Sequence, residues 1–213
     1  MNMSYNRFTP ILSGWPMIFL LSAIGLLLGV VLSFVRPLEY SSTVRILITQ
    51  ELGTVDAYTA SLSVERIADD LVDVIHTTSF YEKVTESNSI DERYFDEDET
   101  KRRKEWDRAV VASVSRGSGL MTIKAYHTDP LEAEIIASSV ASVLINEGWT
   151  YTSGSNITVQ LVDEALNSRW PVRPNILVNA FSGFVLGLIV GVAYILIQVE
   201  RVRRRHQLIH GED

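Results

Sequence analysis

The side chains best suited to chemistry are sparse in this chain and badly placed for it. Its four histidines are His76, His127, His206 and His210. Only the last two share the i, i+4 spacing that puts a pair of metal ligands on one helix face, and they fall in a tail expected to fray. The acids Asp69, Asp70 and Asp73 cluster on the polar side of an amphipathic pattern, where a solvated face explains them better than a general acid/base pair. With no cysteine, neither a disulfide framework nor a thiolate metal site is available. No G-x-x-x-x-G-K-[ST] phosphate loop occurs, and the sequon Asn156-Ile-Thr158 sits inside an expected strand. The reading is therefore a protein without catalysis, cofactor or metal.

The spacing that carries information belongs to glycines. Gly25 and Gly29 are four apart, as are Gly183, Gly187 and Gly191, so each set puts small residues on one helix face and lets backbones approach closely. Whether the partner is the chain's other helix or a neighbouring copy is left open by the pattern.

Those glycines lie in two long stretches free of charge, Thr9 to Val35 and Pro174 to Val199. About 20 apolar residues cross a hydrocarbon core of about 30 Å. The first, from Trp15 to Val35, would run about 31 Å as a helix; the second, from Ile176, is slightly longer and would tilt. A cleaved signal peptide and a buried core helix are the alternatives. The first stretch is long and runs into Phe34-Val35-Arg36-Pro37, with no small-residue cleavage site. Between Ile176 and Ile197 the second offers only Asn179 and Ser182 as polar breaks, too few for the wet face of a core helix.

Arg201, Arg203, Arg204 and Arg205 follow the second stretch directly, the positive-inside signature of a cytoplasmic tail. Two spans then place both termini in the cytoplasm and the middle outside. Arg7 is the sole basic residue of the N-terminal flank, and Trp15 and Trp170 stand at the expected water boundaries. The resulting division is a cytoplasmic N-terminus (1–14), a first span (15–35), an extracytoplasmic domain (36–174), a second span (175–199) and a cytoplasmic tail (200–213). The middle segment holds 14 Lys and Arg against 23 Asp and Glu, a net charge of −9 that argues against nucleic acid as a partner.

That segment parses as one α+β domain. Tyr40 to Thr49 alternates Val44, Ile46 and Ile48, a half-buried strand. Ser63 to Thr77 places Val64, Ile67, Ala68, Leu71, Val74 and Ile75 at helical spacing, with a short helix following over Ser79 to Glu86. Asp96 to Asp107 is a charge-dense helix in which Glu97 with Lys101, Asp98 with Arg102 and Glu99 with Arg103 could pair. Ala109 to Ser115 and Gly119 to His127, joined by a turn at Arg116-Gly117-Ser118, form a hairpin. Asp129-Pro130-Leu131-Glu132 opens a helix with an N-cap acid, a first-turn proline and a glutamate, whose apolar face is Leu131, Ile135, Ile136, Val140, Val143 and Leu144. A turn at Gly154 leads to a last strand from Asn156 to Asp163, expected to pair with the first near the bilayer. Pro171 and Pro174 disfavour helix, so the chain enters its second span through an extended joint.

Three segments together carry a resemblance: Arg36-Pro-Leu-Glu-Tyr40 entering a strand; Ile123-Lys-Ala-Tyr-His-Thr-Asp129-Pro130-Leu-Glu-Ala133 opening a helix; and Val162-Asp-Glu-Ala165 followed by Pro171-Val-Arg-Pro174-Asn175 into a glycine-spaced span. The chain resembles the polysaccharide co-polymerases of the Wzz chain-length determinant type over nearly its whole length. The resemblance implies a homo-oligomeric cell-membrane scaffold that works with a polymerase and its lipid-linked polysaccharide to set chain length in O-antigen, capsule or exopolysaccharide synthesis. The long helical stalk of enterobacterial members has no room here. In size the chain is more similar to the short adaptors of Gram-positive capsule systems, which activate a separate cytoplasmic tyrosine kinase. A ligand sensor is the remaining reading, although 14 tail residues carry no signalling output of their own.

Overall fold

The computed structural model describes residues 14–50, 56–86, 90, 94–152 and 157–209. Its elements are α1 (Trp15–Ser33), β1 (Tyr40–Gln50), α2 (Ala57–Ile75), α3 (Thr78–Glu86), α4 (Glu99–Ala109), β2 (Val110–Val114), β3 (Leu120–His127), α5 (Pro130–Glu147), a 3-10 turn (Gly148–Tyr151), β4 (Ile157–Asn167) and α6 (Ile176–Ile209). They divide into two compact units: Leu38–Val172, and the two chain ends bounded by Pro37 and Arg173.

The first unit is an α+β domain on a four-stranded antiparallel sheet of order β2-β3-β1-β4. Alternation along β1 sends Val44, Ile46 and Ile48 into the core and leaves Arg45 and Thr49 outside. Met121, Ile123 and Ala125 of β3 point the same way. Helix α5 crosses β1, β3 and β4, and α2 covers β2 and β1. Asp129 caps α5 by accepting the Leu131 N–H at 2.9 Å, with Pro130 in the first turn where no N–H is needed. The buried face of α5 is set by Ala133, Ile136, Ala137, Val140, Ala141 and Leu144. Leu131, assigned to that face from spacing, is instead 61 % exposed, because the alanines let the helix settle on the sheet along a row that excludes it.

Helix α2 begins at Ala57, six residues before the expected start at Ser63. Asp56 caps it, accepting the Tyr58 and Thr59 N–H groups and the Thr59 hydroxyl, and the hydroxyl bond foremost holds its carboxyl below the ordinary carboxylate range. Ala68, Leu71 and Ile75 are its fully buried residues. In α4 the three expected charge pairs do not form. Asp98 caps the helix through the Lys101 N–H, Lys101 reaches Asp96, and Arg102 reaches the Glu97 carbonyl. Trp106 closes this side of the core: its indole N–H donates to the Ile75 carbonyl at 2.8 Å, and its ring meets Tyr81 and Phe95 edge-on.

The strand expected over Asn156 to Asp163 runs from Ile157 to Asn167 and does not keep strict alternation. Its pairing with β1 shifts register between Thr43 and Arg45 and again between Arg45 and Ile46. Val159 is buried, whereas Leu161, which lies before both shifts, and Val162 and Leu166 beyond it are exposed on this edge strand. Asn156 and Gly154 lie outside the described residues.

The second unit is a pair of apolar helices. Both α1 and the stretch Ile176–Val202 of α6 are long and apolar enough to cross a membrane. Their outward faces carry Phe19, Leu27, Val31, Leu177, Phe181 and Leu186, all more than half exposed, unlike the wet face of a core helix. Helix α6 does not stop at Val199: it continues unbroken to Ile209, 34 residues in all, where a frayed tail was expected.

Candidate functional site: a glycine-packed helical hairpin

All five spaced glycines meet in one place, the contact between α1 and α6 of the same chain. A Cβ added to Gly25 would land on the Gly183 carbonyl oxygen, and one added to Gly183 would land on that of Gly25. A Cβ on Gly29 would meet the Asn179 carbonyl oxygen, one on Gly187 would stand 2.8 Å from the Ser22 Cα, and one on Gly191 would stand 2.9 Å from the Ile18 Cα. Real Cβ atoms do not approach other atoms this closely, so only glycine fits at each point. The partner numbers rise along one helix as they fall along the other. The two therefore lie antiparallel, touching from Ile18 to Ser33 over about 22 Å.

A short polar link joins the helices at one end of the contact. Asn179 donates its side-chain N–H to the Ser33 hydroxyl at 3.0 Å, and that hydroxyl donates to the Gly29 carbonyl at 2.9 Å. Ser22 donates likewise to Ile18 within α1. Spacing alone did not single out Asn179. The available signal was that a polar amide inside an apolar span looks for an interhelical partner.

Beside the glycine contact runs a groove of about 730 Å³ between the helices, with Arg36, Pro174, Ser33 and Asn179 among its lining and Leu21 and Val190 far along it. Pro174 belongs to this unit and Pro171 to the domain, and neither is in a helix. Beyond Val199, Arg201 and Arg204 are exposed on α6, with Arg204 bonded to Glu200 at 3.0 Å one turn back. The backbone of Arg203 and Arg205 continues the same helix, their side chains lying outside the described residues.

In the domain, Asp69, Asp70 and Asp73 are exposed on α2. His76 contacts the Asp107 carboxylate at 3.0 Å, and His127 accepts the Asp129 N–H at 3.0 Å while packing against the Tyr94 ring. Burial foremost, helped by the nearby Glu39 carboxylate, raises the Tyr94 phenol above its ordinary value. Among the described residues, no three His, Cys, Asp or Glu converge as a metal site. His210 and Arg7 lie outside those residues, as does the side chain of His206.

The fold is thus of a defined class: an antiparallel α+β domain borne by a chain whose two ends form a glycine-packed helical hairpin. No family model and no curated protein matches the sequence.

Proposed function

We propose that this chain is a two-pass membrane scaffold of a surface-polysaccharide system, related to the Wzz-type chain-length determinants, that acts as a homo-oligomer on a polymerase and its lipid-linked product. The hairpin is the observation that carries the membrane part of this reading; its polysaccharide part rests on the resemblance of the three sequence segments alone. Two helices of spanning length, more than a hundred residues apart in sequence, touch at the backbone through glycines on both sides. A leader destined for removal has no use for such a contact, and water would not tolerate the apolar outer faces. In this reading both termini lie in the cytoplasm, because the arginines of α6 beyond Val199 hold that end inside. The α+β domain then stands on the outer side of a bacterial plasma membrane, next to the growing glycan. The scaffold acts by position rather than by bond-making, either limiting how far the glycan extends or holding polymerases together.

Deleting the gene and sizing surface polysaccharide on a gel tests this directly. The expected result is a broadened or shifted length distribution, restored by the intact gene. An unchanged distribution with an unchanged total amount overturns the reading.

The second reading, an adaptor that activates a separate tyrosine kinase, is favoured by one observation: α6 continues for seven residues past Val202, carrying Arg203, Arg204 and Arg205 on a helix. A helical basic extension is a better docking element than a frayed tail. Removing residues 200–213 is expected to abolish kinase phosphorylation under this reading, and normal phosphorylation without them sinks it.

A further inference from the structure

We infer that the groove between α1 and α6 seats one anionic phospholipid, its phosphate at Arg36 and an acyl chain lying along the groove. The inference rests on the reading that the two helices cross a bilayer. The groove has a direction. At one end it is lined by Arg36, with Ser33 and Asn179 nearby, and away from that end by Leu28, Leu186 and Val190.

Its length matches one leaflet. From Ser33 to Leu21 the α1 wall rises about 18 Å, and Arg36 lies just beyond the helix end. Half of a bilayer with its headgroup layer is about 20–22 Å. A lipid with its phosphate at Arg36 would therefore reach the middle of the membrane where the groove closes. A polyisoprenoid carrier longer than one leaflet would have to fold back on itself.

Its charge selects the headgroup. Among the described residues, Arg36 is the sole charged one lining the groove, and none of them forms an ion pair with it. The nearby Ser33 hydroxyl and Asn179 amide are engaged with each other. A second copy's span is a poor occupant, because neither apolar stretch contains an acid to meet the guanidinium. A phosphodiester supplies that charge where the headgroup layer lies, and guanidinium pairs well with phosphate oxygens.

The test is native mass spectrometry of the full chain released from nanodiscs of equal parts phosphatidylglycerol and phosphatidylcholine. One basic residue near an anionic surface is worth enough to favour the anionic lipid roughly fivefold. That preference is expected in the wild type, should persist in Arg36→Lys and should fall to parity in Arg36→Gln. Ser182→Trp, which fills the groove, should remove retained lipid of both kinds while helicity is unchanged. Equal retention of the two lipids by the wild type overturns the inference, as does a phosphatidylglycerol preference that survives Arg36→Gln. Alkaline extraction of membranes reports the span independently. A protein that stays in extracted membranes without lipid preference overturns the lipid seat alone, and one that is extracted overturns the membrane reading beneath it.

Discussion

Replacing Gly183 by leucine is expected to part the two helices. Its Cβ would overlap the Gly25 carbonyl oxygen, and the rest of the side chain would push against the α1 backbone near Gly29. No rotamer relieves a collision that begins at Cβ, so the helices must separate or slide. Overpacking ordinarily costs about 1–3 kcal/mol, and here the obstacle is main chain rather than a movable side chain. A cysteine pair can read the outcome cleanly, since the chain has no cysteine of its own. Ser33→Cys with Asn179→Cys replaces two side chains that already touch at 3.0 Å, and mild oxidation should join them within one chain. Adding Gly183→Leu should lower that yield about tenfold. Gly183→Ala should fall between, because it brings the Cβ and nothing more. A yield unaffected by leucine would mean that the contact between α1 and α6 is not the one described.

The largest effect on the domain itself is expected from Trp106→Ala. The side chain is fully buried, and its loss opens a cavity among Tyr81, Phe95 and Ile75. Truncating a buried tryptophan costs about 3–5 kcal/mol, and the Ile75 carbonyl loses its partner as well. Against a total stability of about 5–15 kcal/mol, this should lower the melting temperature of the purified full chain by roughly 10–20 °C. Near-ultraviolet circular dichroism should report it as early loss of aromatic signal. Trp106→Phe keeps an aromatic edge for Tyr81 and gives up the hydrogen bond, so its loss should be clearly smaller. Equal losses for the two variants would show that the indole N–H, rather than the packing, dominates.

What could be read from the sequence was what is decided locally. The inward set Val44, Ile46 and Ile48 follows from strand alternation alone, and the start of α5 from Asp129 and Pro130. The turn at Gly117, with φ of 69°, follows from glycine's tolerance of the left-handed region. What escaped depends on the neighbour rather than the element. The alanines Ala133, Ala137 and Ala141 permit close packing by their size, but that the sheet meets their row and leaves Leu131 outside, despite its spacing, is set by the neighbour. The register shifts in β4 arise from its fit to β1, which no single strand announces. The early start of α2 is set by Asp56, ahead of a stretch, Ala57 to Leu62, that carries no apolar helical repeat of its own. For the hairpin, glycine spacing identified the faces; their mutual engagement within one chain is a pairing that the backbone had to show.

Helix α6 extends from Ile176 to Ile209 without interruption, about 51 Å of rod at 1.5 Å per residue. Such a rod fixes angular phase. Each residue advances the direction of its side chain by about 100°, so the compass bearing of Arg201 and Arg204 is locked to that of Gly183, Gly187 and Gly191. A turn of the helix about its axis at one end is a turn at the other, with no slack to absorb it. The hairpin and the basic extension thus behave as handle and key on a single shaft.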